Sequence, residues 1–475
     1  MIFCTSKWQK HWFAALGLSL LSGCAVVGPT YTPPALPKLT AGAPVWNAPL
    51  PHAGDAQALK NWWASWNDPA LLALIEAAQA NNPTLAQSVA RIAQARASAV
   101  MSGSADLPGA TGGLSLNRGA QGGPTATSWA TTAQAAWELD LFGGRVRSRE
   151  SAQARVEARS LEWHEARVSL AAETATVYAS LRVSEALVIG FELDRASRIE
   201  TARLTQLKTK AGFEAPANAA LADASVADAH ARIISQQTEI DLSIKALVGI
   251  SGLAETQVRA LLAPSSGKLP AVQGLSVANV PTQVLAQRAD LAALERDLAA
   301  LSAEIGVAEA DRYPRISFSG SIGYSISRAL GSTSDGALWG FGPSISVPLF
   351  DAGRRKANVE LAAARYDELA AGYKALAMRA VRETEEALTR LNGTQSREAD
   401  VRASLSGYEV FTGAAQARLR AGVGTVLELE EARRAVLGAQ VALLNLERER
   451  LLAWVALYRA VGGGWSATDS VEKRK

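Results

Sequence analysis

Residues Ile316 to Ser327 read ISFSGSIGYSIS, with Ile, Phe, Gly or Tyr at every even position and Ser or Gly at every odd one. Strict alternation predicts a β-strand with two unlike faces. The same pattern recurs at Trp129, Thr131, Ala133, Ala135, Trp137, Leu139 and Leu141, and again at Trp339, Phe341, Ile345, Val347 and Leu349. Between these stretches the period changes. Val156, Trp163, Leu170 and Val177 stand seven apart, as do Val359, Tyr366 and Tyr373, with Leu369 and Leu376 at the complementary positions. That is a coiled-coil seam, and it slips near Leu181 and Val381 as a stutter does. The predicted order is a helix over about 70–105, strands over about 111–119 and 128–141, and a long helix over about 145–210. A return helix follows over about 216–248. The order then repeats as about 283–311, 315–328 with 337–350, 354–419 and 425–460. Gly/Ser/Thr-rich stretches at 118–128 and 328–337 read as exposed loops between paired strands.

The repetition extends to individual residues. Leu85 and Pro108 match Leu291 and Pro314, Phe142 matches Phe350, and Ala211–Gly212 matches Ala421–Gly422, at offsets drifting from 206 to 210. Markers in one order with a slowly drifting offset indicate a tandem duplication. The expected organisation is a leader over 1–23, a Pro-rich tether and further segment over 24–60, and repeat 1 over 61–282. Repeat 2 covers 283–465 and a tail 466–475. Each long helix, of about 66 residues, is roughly 100 Å long at 1.5 Å per residue, more than a compact domain needs.

The strands have the length and alternation of transmembrane β-strands, apolar outward and polar inward. Four of them cannot close a spanning barrel, and open edges are not tolerated in lipid. The barrel must therefore be shared between chains, and a water-filled interior calls for more than two. On this reading Ser317, Ser319 and Ser321 line the lumen, and Trp129, Trp137, Tyr324 and Trp339 are membrane-interface aromatics.

The N-terminus agrees with export. Lys7 and Lys10 precede an apolar run, Trp12 to Leu21, too short to span a bilayer. Leu21-Ser22-Gly23-Cys24 follows and resembles a bacterial lipobox, which implies cleavage before Cys24 and a lipid on that residue. Ala25, where an Asp would favour inner-membrane retention, points to the outer membrane. Residues Ala25 to Pro37 are Pro-rich and predict an extended, semi-rigid tether. The net charge of the 475-residue chain is only +3, which argues against nucleic acid as a partner. His52, His164 and His230 have no metal-ligand spacing, and Cys24 is the sole cysteine after the leader. No nucleophile elbow or phosphate loop is present, so the expectation is no enzyme, no metal and no cofactor beyond the lipid.

Four motifs carry a family likeness. They are NWWASWNDPALLALIEAAQANNPTL (Asn61 to Leu85), WELDLFGGRVR (Trp137 to Arg147), VPLFDAGRR (Val347 to Arg355) and ALYRAVGGGW (Ala456 to Trp465). In order and over nearly the whole chain they resemble the TolC-like outer-membrane factors of tripartite efflux pumps, in the NodT/OprM lipoprotein branch. The resemblance implies an α+β fold and a homotrimer. Its twelve strands, four per chain, form one barrel in outer-membrane lipid, continued by a periplasmic α-helical coiled-coil barrel. An equatorial belt from segments near 38–70, 250–282 and the C-terminus is implied too. The partners implied are a periplasmic adaptor and an inner-membrane pump of the RND type or a related one.

The same likeness implies site residues. Gly212 and Gly422 sit at hairpin turns, which suit glycine in any helical hairpin; their role as adaptor-docking tips comes from the resemblance. By position Leu427 matches the apolar plug of a periplasmic gate, Glu431 its usual Asp, Glu428 a second acid and Arg434 a basic latch. Read without the likeness, these residues are a solvated helix start with ordinary i, i+3 pairs. A threefold ring of Glu431 would attract cations. The alternative to a channel is a coiled-coil lipoprotein scaffold without a pore, which would not need alternating strands carrying Trp and Tyr.

Overall fold

The computed structural model describes residues 26–34, 62–120, 125–272 and 287–464. The expected leader, Cys24, the tail and parts of the tether and belt segments lie outside the described residues. In chain order the elements are α1 (Pro69–Asn81), α2 (Pro83–Ser104), β1 (Gly109–Gly119), β2 (Ala126–Leu139), α3 (Gly144–Lys210) and α4 (Pro216–Ser251). There follow α5 (Glu255–Leu262), α6 (Ala289–Ala310), β3 (Arg315–Ala329), β4 (Ser332–Ser346), α7 (Arg354–Arg420) and α8 (Val426–Ala460). The long helices α3 and α7 each have 67 residues, within a residue of the spans expected from sequence.

Three local expectations are corrected. The helix foreseen over 70–105 is two helices, because Pro83 forces Asn82 out of the helical region (ψ 126°). Asn82 then caps α2 by accepting from Thr84 N at 2.9 Å. The loop foreseen over 328–337 is a two-residue turn: Leu330 (φ 53°) and Gly331 (φ 80°) are both left-handed, as a type I′ hairpin requires. β4 consequently starts at Ser332 and ends at Ser346, leaving Val347 to Phe350 beyond it.

The chain divides into two compact units. The first comprises Met1–Ala35, Ala90–Ser160 and Ala292–Lys374. Its centre is one antiparallel sheet in the order β1-β2-β3-β4, so the hairpins of the two repeats join through β2 and β3. Beside it the start of α3 is tied to α6: Arg159 holds Asp297 at 2.8 Å, and Ser151 and Arg155 both reach Glu304. Phe142, of the first LFGG motif, stacks on Tyr313 at 4.6 Å between ring centroids. Its repeat mate Phe350 is 91% exposed, so the two copies are not equivalent here.

Residues 26–34, part of the expected tether, form neither helix nor strand and are docked. Val27 N donates to Phe142 O at 3.0 Å, and Arg147 donates to the carbonyls of Val27 (3.2 Å) and Gly28 (3.4 Å). Gly28 lies so close to Gly306 that a Cβ on it would stand 2.3 Å from the Gly306 Cα. Only glycine fits that approach. Further along, the Tyr31 hydroxyl donates to the Glu295 carboxylate at 2.8 Å, and burial beside that acid raises the phenol's pKa.

The second unit, Leu36–Val89, Leu161–Leu291 and Ala375–Lys475, holds the main apolar core. Trp62, Trp63 and Trp66 cluster around Tyr458, with Trp62 stacked on it at 5.0 Å. Val258, Leu262 and Val461 pack into the same core, so the described parts of the three belt segments do converge. Asp68 caps α1 by accepting from Ala70 N and Leu71 N, and it takes the Tyr178 hydroxyl at 2.5 Å. Burial, with that acid beside it, pushes the Tyr178 phenol up to about 12.

Candidate functional site

Two faces of the sheet. The strand register sorts side chains onto two faces. One face runs Leu114, Thr131, Tyr324, Ala337 in one row, then Gly112, Ala133, Ile322, Trp339, then Ala110, Ala135, Gly320, Phe341. Toward the helix end it continues with Trp137, Phe318 and Pro343, then Leu139, Ile316 and Ile345. The other face carries Ser317, Ser319 and Ser321 opposite Glu138, Ala136 and Gln134 on β2, and opposite Ser344, Gly342 and Gly340 on β4. The apolar parity is thus continuous over four strands and both repeats, and so is the polar one, with Leu338 its one large apolar member.

Ser317 and Ser344 share a hydrogen bond at 2.8 Å across the polar face. The charged side chains on that face are Glu138 and Arg315, both at the helix end of the strands and both paired, with Arg145 (3.5 Å) and Asp311. The middle of the face is uncharged and, Leu338 and Gln134 apart, built of small residues. On the apolar face Phe341, Ile322 and Trp339 are 85%, 65% and 75% exposed. Trp129 stands opposite Ile326 toward the turn end, with Tyr324 one row further in. Trp137 stands opposite Phe318 toward the helix end and donates to Asp106 O at 2.9 Å. Trp339 faces Ile322, at the middle of β3. The register therefore places Trp339 at mid-strand, further from either end of the sheet than Trp129 and Trp137.

Tips of the helical hairpins. Gly212 (φ 80°) and Gly422 (φ 79°) end the long helices in left-handed conformation. In the first, Phe213 N bonds Lys208 O and Gly212 N bonds Thr209 O. In the second, Val423 N bonds Arg418 O and Gly422 N bonds Leu419 O. Both are Schellman closures, whose C′ position disfavours any residue with a Cβ. Each presents an apolar residue at its apex, Phe213 at 84% exposure and Val423 at 70%.

Thr425 caps α8 by accepting from Glu428 N at 3.1 Å. In the first turns of α8 the structure separates the four residues singled out from sequence. Leu427, Glu431 and Arg434, spaced by four and three, share one exposed stripe. Glu428 turns away and pairs with Arg418 of α7 at 2.7 Å, so it braces the hairpin rather than joining that stripe. Glu431 and Arg434 form no ion pair with each other or with any described residue; Arg434 reaches only the Glu430 carbonyl, at 3.4 Å.

Behind the stripe lies a charged cluster that sequence reading missed. Glu430, 3% exposed, takes Arg198 of α3 at 2.5 Å, Arg433 at 3.0 Å and the Ser225 hydroxyl of α4 at 2.8 Å. Arg198 is also held by Asp194 at 2.6 Å, and Arg433 donates to Ser197 Oγ at 2.6 Å. Burial holds the Arg433 guanidinium below its ordinary pKa. The signal was present: Val426, Glu430, Arg433 and Leu437 follow a four-three-four seam, with charges where a packed helix expects apolar residues. Among the described residues no helix is long and apolar enough to cross a membrane, and no group of three His, Cys, Asp or Glu is placed to hold a metal.

A two-faced sheet with unpartnered outer strands, built from two repeats that each add a long helical hairpin, defines the class: an outer-membrane channel protein whose helices extend into the periplasm. The chain belongs to the outer membrane efflux protein family, whose model matches residues 74–253 and 280–463, one segment in each repeat. It is 30% identical to Nodulation protein T of Rhizobium leguminosarum bv. viciae over 97% of this chain and 95% of that one. It is also 30% identical to outer membrane protein OprJ of Pseudomonas aeruginosa, over 96% and 97%. The solved structure of the outer-membrane channel OprN superposes with a TM-score of 0.80 at 29% identity, covering 92% of this chain and 99% of that one.

Proposed function

We propose that three copies of this chain form the outer-membrane duct of a tripartite efflux pump, passing drugs or other small molecules to the exterior unchanged. The observation that carries this reading is the four-stranded sheet itself. β1 and β4 leave their outer edges unpaired, and one face exposes Phe341, Trp339, Ile322 and Ile345 together. In water such a face would aggregate; in lipid its edges would be intolerable unless paired with other copies. Three copies supply twelve strands, enough to enclose water rather than a packed core.

The serine face then lines the duct. Its uncharged middle offers neither a binding pocket nor a charge barrier, which suits passive passage of unlike molecules. Selection is left to the inner-membrane pump of the RND type or a related one, reached through a periplasmic adaptor. The apices at Gly212–Phe213 and Gly422–Val423 present the exposed apolar side chains that a docking adaptor needs. The exposed stripe of Leu427, Glu431 and Arg434 is the gate: with no ion-pair partner among the described residues, it meets its equivalents around the threefold axis. Cys24, acylated, adds a lipid anchor next to the docked segment 26–34.

Purified protein in planar bilayers tests the reading. Heat-stable trimers and discrete, cation-preferring conductance steps are expected. A monomer that is released by salt alone and leaves the bilayer silent would instead fit a scaffold without a pore.

A further inference from the structure

The apolar face does not end in the same way at its two edges. Toward the turns, one register row consists of Arg118, Thr127, Arg328 and Thr333, on the parity of Trp129, Tyr324 and Trp339. The outward face therefore carries two arginines at its turn end. Both are exposed, and neither side chain forms an ion pair or hydrogen bond with any described residue. The nearest acid on this face, Asp335, stands one row further in and is already taken by the Tyr324 hydroxyl. At the helix end the corresponding rows, Trp137 with Phe318 and Leu139 with Ile316, hold no charge. Arginines that served only solubility would have no reason to crown one end of an apolar face and be absent from the other.

Their spacing fits an anion with several oxygens. Arg118 and Arg328 are two strands apart, roughly 10 Å between backbones, with the Thr127 hydroxyl between them. Two guanidiniums at that distance can converge on one phosphate or hold two neighbouring ones through paired N–H donors. Below them the face follows the profile of a lipid. The next rows bring Trp129 and then Tyr324, amphipathic rings suited to a headgroup boundary. Then Ala133, Ala135 and Gly320 leave a shallow apolar trough flanked by Ile322, Trp339 and Phe341, a path for acyl chains.

We propose that Arg118 and Arg328 bind the phosphates of an acidic glycolipid in the outer leaflet, with its acyl chains in the trough. The site rests on the reading that this sheet spans the outer membrane with its turns outward. It goes beyond that reading in naming a lipid class and the residues that select it.

The test uses assembled trimers in phosphatidylcholine nanodiscs, titrated with the bis-phosphorylated, hexa-acylated glucosamine disaccharide that anchors lipopolysaccharide. Bound copies are counted by native mass spectrometry. Wild-type trimers are expected to hold this lipid at least about tenfold more tightly than its dephosphorylated form. Arg118→Gln with Arg328→Gln should abolish that preference, and Arg118→Lys with Arg328→Lys should retain part of it. Inorganic phosphate at the same concentration should leave the bound lipid in place. Equal binding of the two lipids by the wild type, an unchanged preference in the glutamine variant, or displacement by inorganic phosphate would overturn the site. A protein that never enters the nanodisc would overturn the membrane-spanning reading as well, and is told apart by its absence from the disc fraction.

Discussion

Glu430→Ala is expected to loosen the base of the second hairpin tip by about 3–5 kcal/mol, the usual penalty for removing one partner of a buried ion pair. The carboxylate holds two arginines and a serine from three helices, at 2.5–3.0 Å, in a site where Arg198 and Arg433 are 5% and 4% exposed. Without it, Asp194 remains as the cluster's only acid for two guanidiniums. Each 1.4 kcal/mol is tenfold in an equilibrium, so amide exchange over 194–210, 216–230 and 426–437 should accelerate by about two powers of ten or more. Replacing Asp194, Arg198, Glu430 and Arg433 together by Leu, Met, Leu and Met is expected to cost far less, because no charge of the cluster is then left buried. Exchange as slow in Glu430→Ala as in the wild type would show that the cluster is not what ties α8 to α3 and α4.

The second large effect concerns the stripe just outside that cluster. Glu431→Ala with Arg434→Ala is expected to raise single-channel conductance severalfold and to weaken cation preference. The physical basis is that both side chains are exposed and form no ion pair among the described residues, while Leu427 beside them is 49% exposed. If three such stripes meet, the carboxylates set the charge of the narrowest ring and Leu427 its dryness. Glu428→Ala serves as the contrast. It removes the 2.7 Å brace to Arg418 without touching the stripe, so its effect should appear in tip exchange and not in pore width. An unchanged step in the double variant would remove Glu431 and Arg434 from the gate.

The parts of the molecule that were readable in advance are those where many residues repeat one message. Seven-residue spacing marked both 67-residue stretches as coiled-coil helix, the glycine-containing turns after them marked their ends, and alternation placed both faces of the sheet. Features resting on one or two residues were not readable. Leu330–Gly331 is not the Asn-Gly or Asp-Gly pair that advertises a type I′ turn, and Ser332 to Gly336 has a loop's composition although it is strand. Pro83 did announce the break after α1, but the apolar spacing on either side outvoted it. Glu430 and Arg433 look like solvated charges until Arg198, more than 200 residues earlier, is brought beside them. Trp339 shares its parity with Trp129 and Trp137, and only the pairing with Ile322 places it at mid-strand. The docking of residues 26–34 depends on Gly28 meeting Gly306, a contact between residues that carry no side chain to signal it.

The most direct test of the account is thiol labelling of the two faces of β3 in the assembled protein. Ser319→Cys and Ser321→Cys are expected to react with a small, membrane-impermeant, water-soluble thiol reagent. Phe318→Cys, on the opposite face, is expected to stay protected until the protein is taken out of lipid. Labelling of Phe318→Cys together with protection of Ser319→Cys and Ser321→Cys would put the serines against lipid and contradict the channel.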